Sequence, residues 1–141
     1  MRYLADVYEF QLKFGIPQPQ IARQLPKELA EFRLKFLKEE LEEYEKAVES
    51  GDLERQLDAL VDLVYVALGT ALMSGFDFDA AWSRVQLANM AKERAKSAND
   101  SKRGSVYDVV KPAGWRPPEL GDLVYPTHIR WNPDDLFNRR Y

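Results

Sequence analysis

Residues 57–73 read Leu57-Asp58-Ala59-Leu60-Val61-Asp62-Leu63-Val64-Tyr65-Val66-Ala67-Leu68-Gly69-Thr70-Ala71-Leu72-Met73. Aliphatic side chains at 57, 60, 61, 63, 64, 66, 68 and 72 leave no polar side if the run is helical, and a helix apolar all round is buried all round. Asp52 ahead of it is a good N-cap and Gly75 behind it a good stop, which sets a helix from Leu53 to about Ser74. With Asp58 and Asp62 inside, the run is too short and too acidic for a membrane span. A chain of 141 residues holds one domain's core, too little to cover this helix on every side, so a partner subunit is expected to complete its burial.

Outward from that helix the pattern stays helical. Upstream, Gly51-Asp52 is a short connection, and a second helix is expected from near Pro26 to Ser50, with an inward stripe of Leu37, Leu41, Tyr44 and Val48. A first helix over Arg2 to Phe14 carries Leu4, Val7, Phe10 and Phe14 at helical spacing and ends at Gly15-Ile16-Pro17. Downstream, Asp77 or Asp79 caps a fourth helix reaching about Ser97. Beyond Asn99 the periodicity is lost: the tail has five of the eight prolines, and only Ser105–Val110 suggests a short strand. The expected architecture is an all-α, four-helix-bundle-type domain over residues 1–98. Residues 99–141 form an irregular proline- and aromatic-rich extension that packs on the body or on a neighbouring subunit.

Composition removes whole mechanisms. There is no cysteine and a single histidine, His128, so thiolate zinc sites, histidine-based triads and Glu-x-x-His di-iron sites are excluded. Glycine is scarce and never clustered, which excludes a glycine-rich phosphate loop. A formal net charge of −3 argues against nucleic acid as a partner. No signal-peptide pattern opens the sequence, so a cytoplasmic protein is expected, in the host cytoplasm if a phage encodes it. Carboxylates and lysines are left to carry any chemistry.

The carboxylates are concentrated in two places. In Glu39-Glu40-Leu41-Glu42-Glu43, Glu40 lies roughly 60° and Glu43 roughly 120° from the expected stripe, at the edge of the core, with Glu42 further outward. Asp58 and Asp62 share a helix face among aliphatic neighbours, where an uncompensated charge costs several kcal/mol. Arg33, Lys92 or Lys96 in a salt bridge would answer that charge, and so would a divalent ion. An all-oxygen donor set suits Mg2+ or Mn2+, ions that commonly act on phosphates. On the expected fourth helix, Asn89, Lys92 and Lys96 line up one amide and two ammonium groups that could neutralise a polyphosphate. Against the enzyme stands a non-catalytic helical oligomerisation module whose acidic faces bind salt-bridge partners.

These residues resemble the MazG-like group of all-α nucleoside triphosphate pyrophosphatases, which includes phosphoribosyl-ATP pyrophosphohydrolase and dimeric dUTPases. The group's Glu-Glu-x-x-Glu is matched by Glu39-Glu40-Leu41-Glu42-Glu43, and the Asp of its Glu-x-x-Asp by Asp62. Ala59 stands where that second pattern has Glu, with Asp58 one residue earlier. Phe14-Gly15-Ile16-Pro17, Asn89-Met90-Ala91-Lys92 and Val109-Val110-Lys111-Pro112-Ala113-Gly114-Trp115 are similar to a phage and bacterial subgroup, so the likeness spans roughly residues 5–118.

The resemblance implies a homodimer or homotetramer that hydrolyses nucleoside triphosphates between the α- and β-phosphates. It implies metal ligands Glu39, Glu40, Glu43 and Asp62, with Asp58 the substitute for the missing Glu. Glu39, Glu40 and Lys92 become catalytic candidates, one carboxylate orienting the attacking water. Lys92 and Lys96 become phosphate contacts, and Asn89, Gln11, Phe10 and Trp82 candidates for the base. A guanine nucleotide is the leading substrate, with dUTP or dCTP the alternative.

Overall fold

The computed structural model describes residues 2–125; His128, Trp131 and the last two prolines lie outside the described residues. The order is α1 (Arg2–Lys13), α2 (Lys27–Ser50), α3 (Leu53–Met73), α4 (Phe78–Met90), β1 (Glu93–Arg94), a 3-10 turn (Ala98–Asp100), β2 (Val109–Val110) and a short α5 (Gly121–Val124). The all-α expectation holds. Two compact units share the chain: one runs through Phe78 and resumes at Leu123, the other is Asp79–Asp122.

In the first unit α2 and α3 form an antiparallel hairpin. Gly51 ends α2 at φ 69°, a left-handed backbone that glycine adopts without strain. Asp52 caps α3 by accepting from the Arg55 amide. The hairpin is pinned along its length: Gln56 donates to the Ala47 carbonyl, and Arg33 to the Val66 carbonyl and the Thr70 hydroxyl. α1 lies on α3, where Leu4, Ala5 and Val7 join Leu68 and Leu72 in a core flanked by Tyr8, Tyr65 and Phe78.

Three expectations are corrected. The buried face of α2 holds Glu40 and Ala47, with Arg33 half-buried a heptad earlier, while Leu41 and Val48 are 55% and 49% exposed. Leu37 and Tyr44 of the expected stripe are half-buried, so the stripe is not the most buried face of α2. As expected for a chain of this size, α3 is not covered on every side within one chain: Leu57, Leu60, Val61 and Val64 remain exposed. The expectation that it is too short for a bilayer is corrected: it has 21 residues, and an 18-residue stretch of it has a mean hydropathy of 1.4, long and apolar enough by length and composition. Within the unit, however, Ala59, Val66, Gly69 and Leu72 are buried, as in a core helix.

The third correction lies in the second unit. α4 stops at Met90, not near Ser97, because Glu93–Arg94 pairs antiparallel with Val109–Val110 and the Ala95 amide donates to the Asp108 carbonyl. Asp108 organises the hairpin's loop: its carboxylate accepts from the Ser101 hydroxyl (2.6 Å), the Val109 amide (2.8 Å) and Arg103 (2.9 Å). The Trp115 indole donates to the Ala88 carbonyl at 2.7 Å, tying the later segment to α4.

Candidate active site

A cavity of about 190 Å3 opens among α1, α2 and α3, and Phe10, Gln11, Arg33, Glu40, Asp62 and Gly69 are in its wall. Four of these six are expected site residues: Glu40 and Asp62 as metal ligands, Gln11 and Phe10 as base contacts. The other two explain how the site is built. Arg33 enters from α2, fixed at 2.7 Å to the Val66 carbonyl and 3.0 Å to Thr70 Oγ1. A Cβ on Gly69 would stand 2.9 Å from Gln11 Nε2 and 3.1 Å from Arg33 Nη2. Glycine is therefore required for Gln11 to donate to the Gly69 carbonyl (2.9 Å) while Arg33 crosses beside it. A glycine inside an otherwise apolar helix costs about 1 kcal/mol, a signal in the sequence that the reading of the acidic clusters passed over.

Glu40 is the most unusual group in the cavity. It is 7% exposed, and its Oε2 has no hydrogen-bond partner among the described residues. Burial pushes its pKa up, and the charges of Glu43, Asp62, Glu39 and Asp58 push in the same direction. Ion pairing does not relieve this: among the described residues no Lys or Arg forms a salt bridge with Glu40, Asp58 or Asp62. Arg33, the expected salt-bridge partner in the hairpin, binds a carbonyl and a hydroxyl instead. Gln11, 2% exposed, likewise has an Oε1 without a partner. The cavity thus presents two buried, unfilled acceptors, one charged and one neutral, beside a fixed guanidinium.

The remaining expected ligands are less closely placed. Glu39 and Glu43 are exposed, and Asp62 is half-buried. Asp58 is exposed as well, correcting its expected burial: it faces a separate depression with Asp52, Glu54 and Arg55. Its neighbour Ala59, at the position where the family pattern has Glu, is the one that is buried (3% exposed). Among the described residues no three acidic side chains are yet arranged around a single point as ligands of one ion.

The other candidates belong to the second unit. Lys92 donates to Asn89 Oδ1 at 2.9 Å, so these two are brought together. Because α4 ends at Met90, Lys96 does not share a helix face with them; it is exposed, two residues beyond β1. Trp82 is 54% exposed on α4.

An acid-lined cavity between two antiparallel helices is matched by the sequence at the level of family. The model for phosphoribosyl-ATP pyrophosphohydrolase matches residues 7–89, more than half of the chain and the whole of α2 and α3. The chain belongs to that family. Membership places it among pyrophosphohydrolases, hydrolases of nucleotide phosphoanhydride bonds. No curated protein matches the chain. The matched stretch contains the cavity and all five acidic candidates, and it ends at Asn89, so Lys92, Lys96 and the β1–β2 hairpin fall beyond it.

Proposed function

We propose that the protein is a Mg2+- or Mn2+-dependent nucleoside triphosphate pyrophosphohydrolase, releasing a nucleoside monophosphate and pyrophosphate, with guanine nucleotides the leading substrates. The observation that carries this reading is the buried, unpartnered Oε2 of Glu40, facing a cavity with Asp62 and pushed toward its neutral form by burial and four nearby carboxylates. A carboxylate so placed is unstable without a cation, and the donors around it are oxygens, which suits a hard divalent ion. Glu40 and Asp62 would hold the ion from inside the cavity, with Glu39 and Glu43 turning toward it from the adjoining surface of α2. When bound, the ion supplies neutralising charge to the phosphate oxygens. A carboxylate not engaged in binding would orient the water and take its proton as the water oxygen attacks the α-phosphorus, and the bond from the α-phosphorus to the bridging oxygen breaks, releasing pyrophosphate and the monophosphate. Gln11 offers its unfilled Oε1 to an N–H of the base, beside the Phe10 ring.

We also propose that the working form is a homodimer or homotetramer. α2 leaves Leu34, Leu41 and Val48 exposed at heptad spacing, and α3 leaves Leu53, Leu57, Leu60 and Val64 exposed at spacings of four and three. Two such stripes are seams for further helices, and a second copy of the hairpin supplies matching ones. A groove of about 330 Å3 lined by Tyr3, Leu60, Val61 and Val64 continues the same apolar surface.

Incubating the protein with each common nucleoside and deoxynucleoside triphosphate, with Mg2+, Mn2+ or EDTA, tests the activity directly. Pyrophosphate release with either metal and none with EDTA is expected. Undiminished release in excess chelator would remove the metal from the mechanism, and release from no nucleotide would remove the activity.

A further inference from the structure

Arg33 stands in the cavity wall as a cation with no carboxylate partner. It is half-buried, and burial lowers its pKa, yet among the described residues no acid lies within salt-bridge distance. Pinning α2 to α3 uses only part of the side chain. Nε donates to Thr70 Oγ1 at 3.0 Å and Nη2 to the Val66 carbonyl at 2.7 Å. Thr70 gives its own proton to the same carbonyl, also at 2.7 Å, so its oxygen is an acceptor toward Nε. A guanidinium carries more N–H donors than these two bonds use, and Nη1 has no acceptor among the described residues. The group is not free to turn, because the two bonds fix its plane and its central carbon lies 5.3 Å from the centre of the Phe36 ring.

The neighbouring group has the opposite polarity. Gln11 is 2% exposed, and its Nε2 donates to the Gly69 carbonyl at 2.9 Å. Turning the amide over would set oxygen against oxygen, so Oε1 stays an acceptor, and it has no partner among the described residues. The point where a Cβ of Gly69 would stand is 2.9 Å from Gln11 Nε2 and 3.1 Å from Arg33 Nη2, which puts the two groups side by side. A phosphate is the wrong ligand for this pair, because it brings only acceptors and Gln11 Oε1 would repel them. The match is a planar group with a carbonyl next to an N–H: the carbonyl takes Arg33 protons and the N–H goes to Gln11. The aromatic wall favours a flat ring in the same place, with Phe10 set edge to face against Tyr65 at 5.5 Å.

We propose that Arg33 is a specificity-determining residue, which with Gln11 reads the lactam edge of a nucleobase: Arg33 donates to the ring carbonyl, and Gln11 accepts from the adjacent ring N–H. Guanine and hypoxanthine present this edge at C6=O and N1–H, and uracil at C4=O and N3–H. Adenine and cytosine present the reverse, an amino donor beside a ring-nitrogen acceptor, which sets N–H against Arg33 and a lone pair against Gln11. The substrate class is thus the oxo-bases, selected by this edge and not by the 2-amino group of guanine. The inference rests on the nucleotide-pyrophosphohydrolase reading of the cavity.

Inosine and adenosine differ only at that edge, which makes them the probes. Titration of the intact protein with each nucleoside in EDTA, followed by NMR, reads base recognition without phosphate, metal or catalysis. Pyrophosphate release from ITP and ATP with Mg2+ reads the same preference in the reaction. Inosine should bind more tightly than adenosine, and ITP should exceed ATP in kcat/KM, each by at least about tenfold. Arg33→Met removes the donors and should bring the ITP-to-ATP ratio close to one, the loss for ITP falling in KM more than in kcat. Because Arg33 also ties α2 to α3, its melting temperature is measured on the same sample. Gln11→Met leaves that tie in place and should lose the same preference. Equal binding of inosine and adenosine by the wild type, or binding of neither, overturns the proposal. So does an Arg33→Met variant that loses ITP and ATP equally, the mark of a purely structural residue. Inosine preferred over adenosine without pyrophosphate release from any nucleotide would uphold the base edge and sink the hydrolase reading alone.

Discussion

Replacing Glu40 by Gln keeps its shape and removes the charge that burial and its acidic neighbours disfavour. In EDTA the variant should melt at or above the wild-type temperature, because carboxylate repulsion is relieved. Pyrophosphate release with Mg2+ should fall by at least about a hundredfold, more than the loss of an outer-shell partner causes. A variant that melts lower and stays active would show Glu40 to be structural. Asp62→Asn is expected to behave similarly, since Arg33 is bonded elsewhere and no cation is stranded by the change. Asp58→Asn should be close to wild type in the same assay, because the side chain is exposed and outside the cavity wall. At Gly69 the expected effect is steric. Gly69→Ala forces Gln11 or Arg33 to move, at about 1–3 kcal/mol of stability, measured by urea unfolding.

At the scale of the element, the tightest local design is the β1–β2 hairpin around Asp108. The Ser101 hydroxyl, the Val109 amide and Arg103 hold this carboxyl below its usual range. The folded hairpin therefore binds fewer protons than the unfolded chain in acid. Its contribution is fully present above the ordinary carboxylate pKa and is lost as pH falls through the lowered folded value. Melting curves of wild type and Asp108→Asn from strongly acid solution to neutrality should converge at the acid end and separate above it. A constant gap at all pH values would show that charge is irrelevant there. The same hairpin explains the early end of α4: pairing at Glu93–Arg94 and the bond from the Ala95 amide outweigh the high helix propensity of Ala91–Lys96.

For the whole molecule, the exposed leucines of α2 and α3 determine what should be seen in solution. Light scattering of the wild type should give a multiple of the 16.3 kDa chain mass. Leu41→Glu/Leu57→Glu places charges on both exposed stripes without touching the cavity wall, and should shift the mass toward one chain. A wild type that scatters as a monomer at micromolar concentration would remove the oligomer, and with it the account of these apolar stripes.

The sequence alone determined the helical class, the extents of α1, α2 and α3, the Asp52 cap and the placing of Glu40 and Asp62 among the candidate ligands. All of these follow from local rules: hydrophobic period, capping chemistry, and the rarity of carboxylates among aliphatic residues. Only the tertiary structure decided which face of α2 turns inward. The inward face carries Arg33, Glu40 and Ala47, residues that hydrophobic period alone does not select. It also decided that Asp58 points outward while Ala59 is buried, since neighbours on a helix differ by about 100° and periodicity cannot resolve one residue. The cavity brings together Gln11, Arg33 and Gly69, residues far apart in the chain. Trp115 meets α4 at Ala88 beyond a two-residue strand pairing too short to leave a periodic trace. Contacts of that kind depend on how the backbone returns on itself, which composition and spacing do not encode.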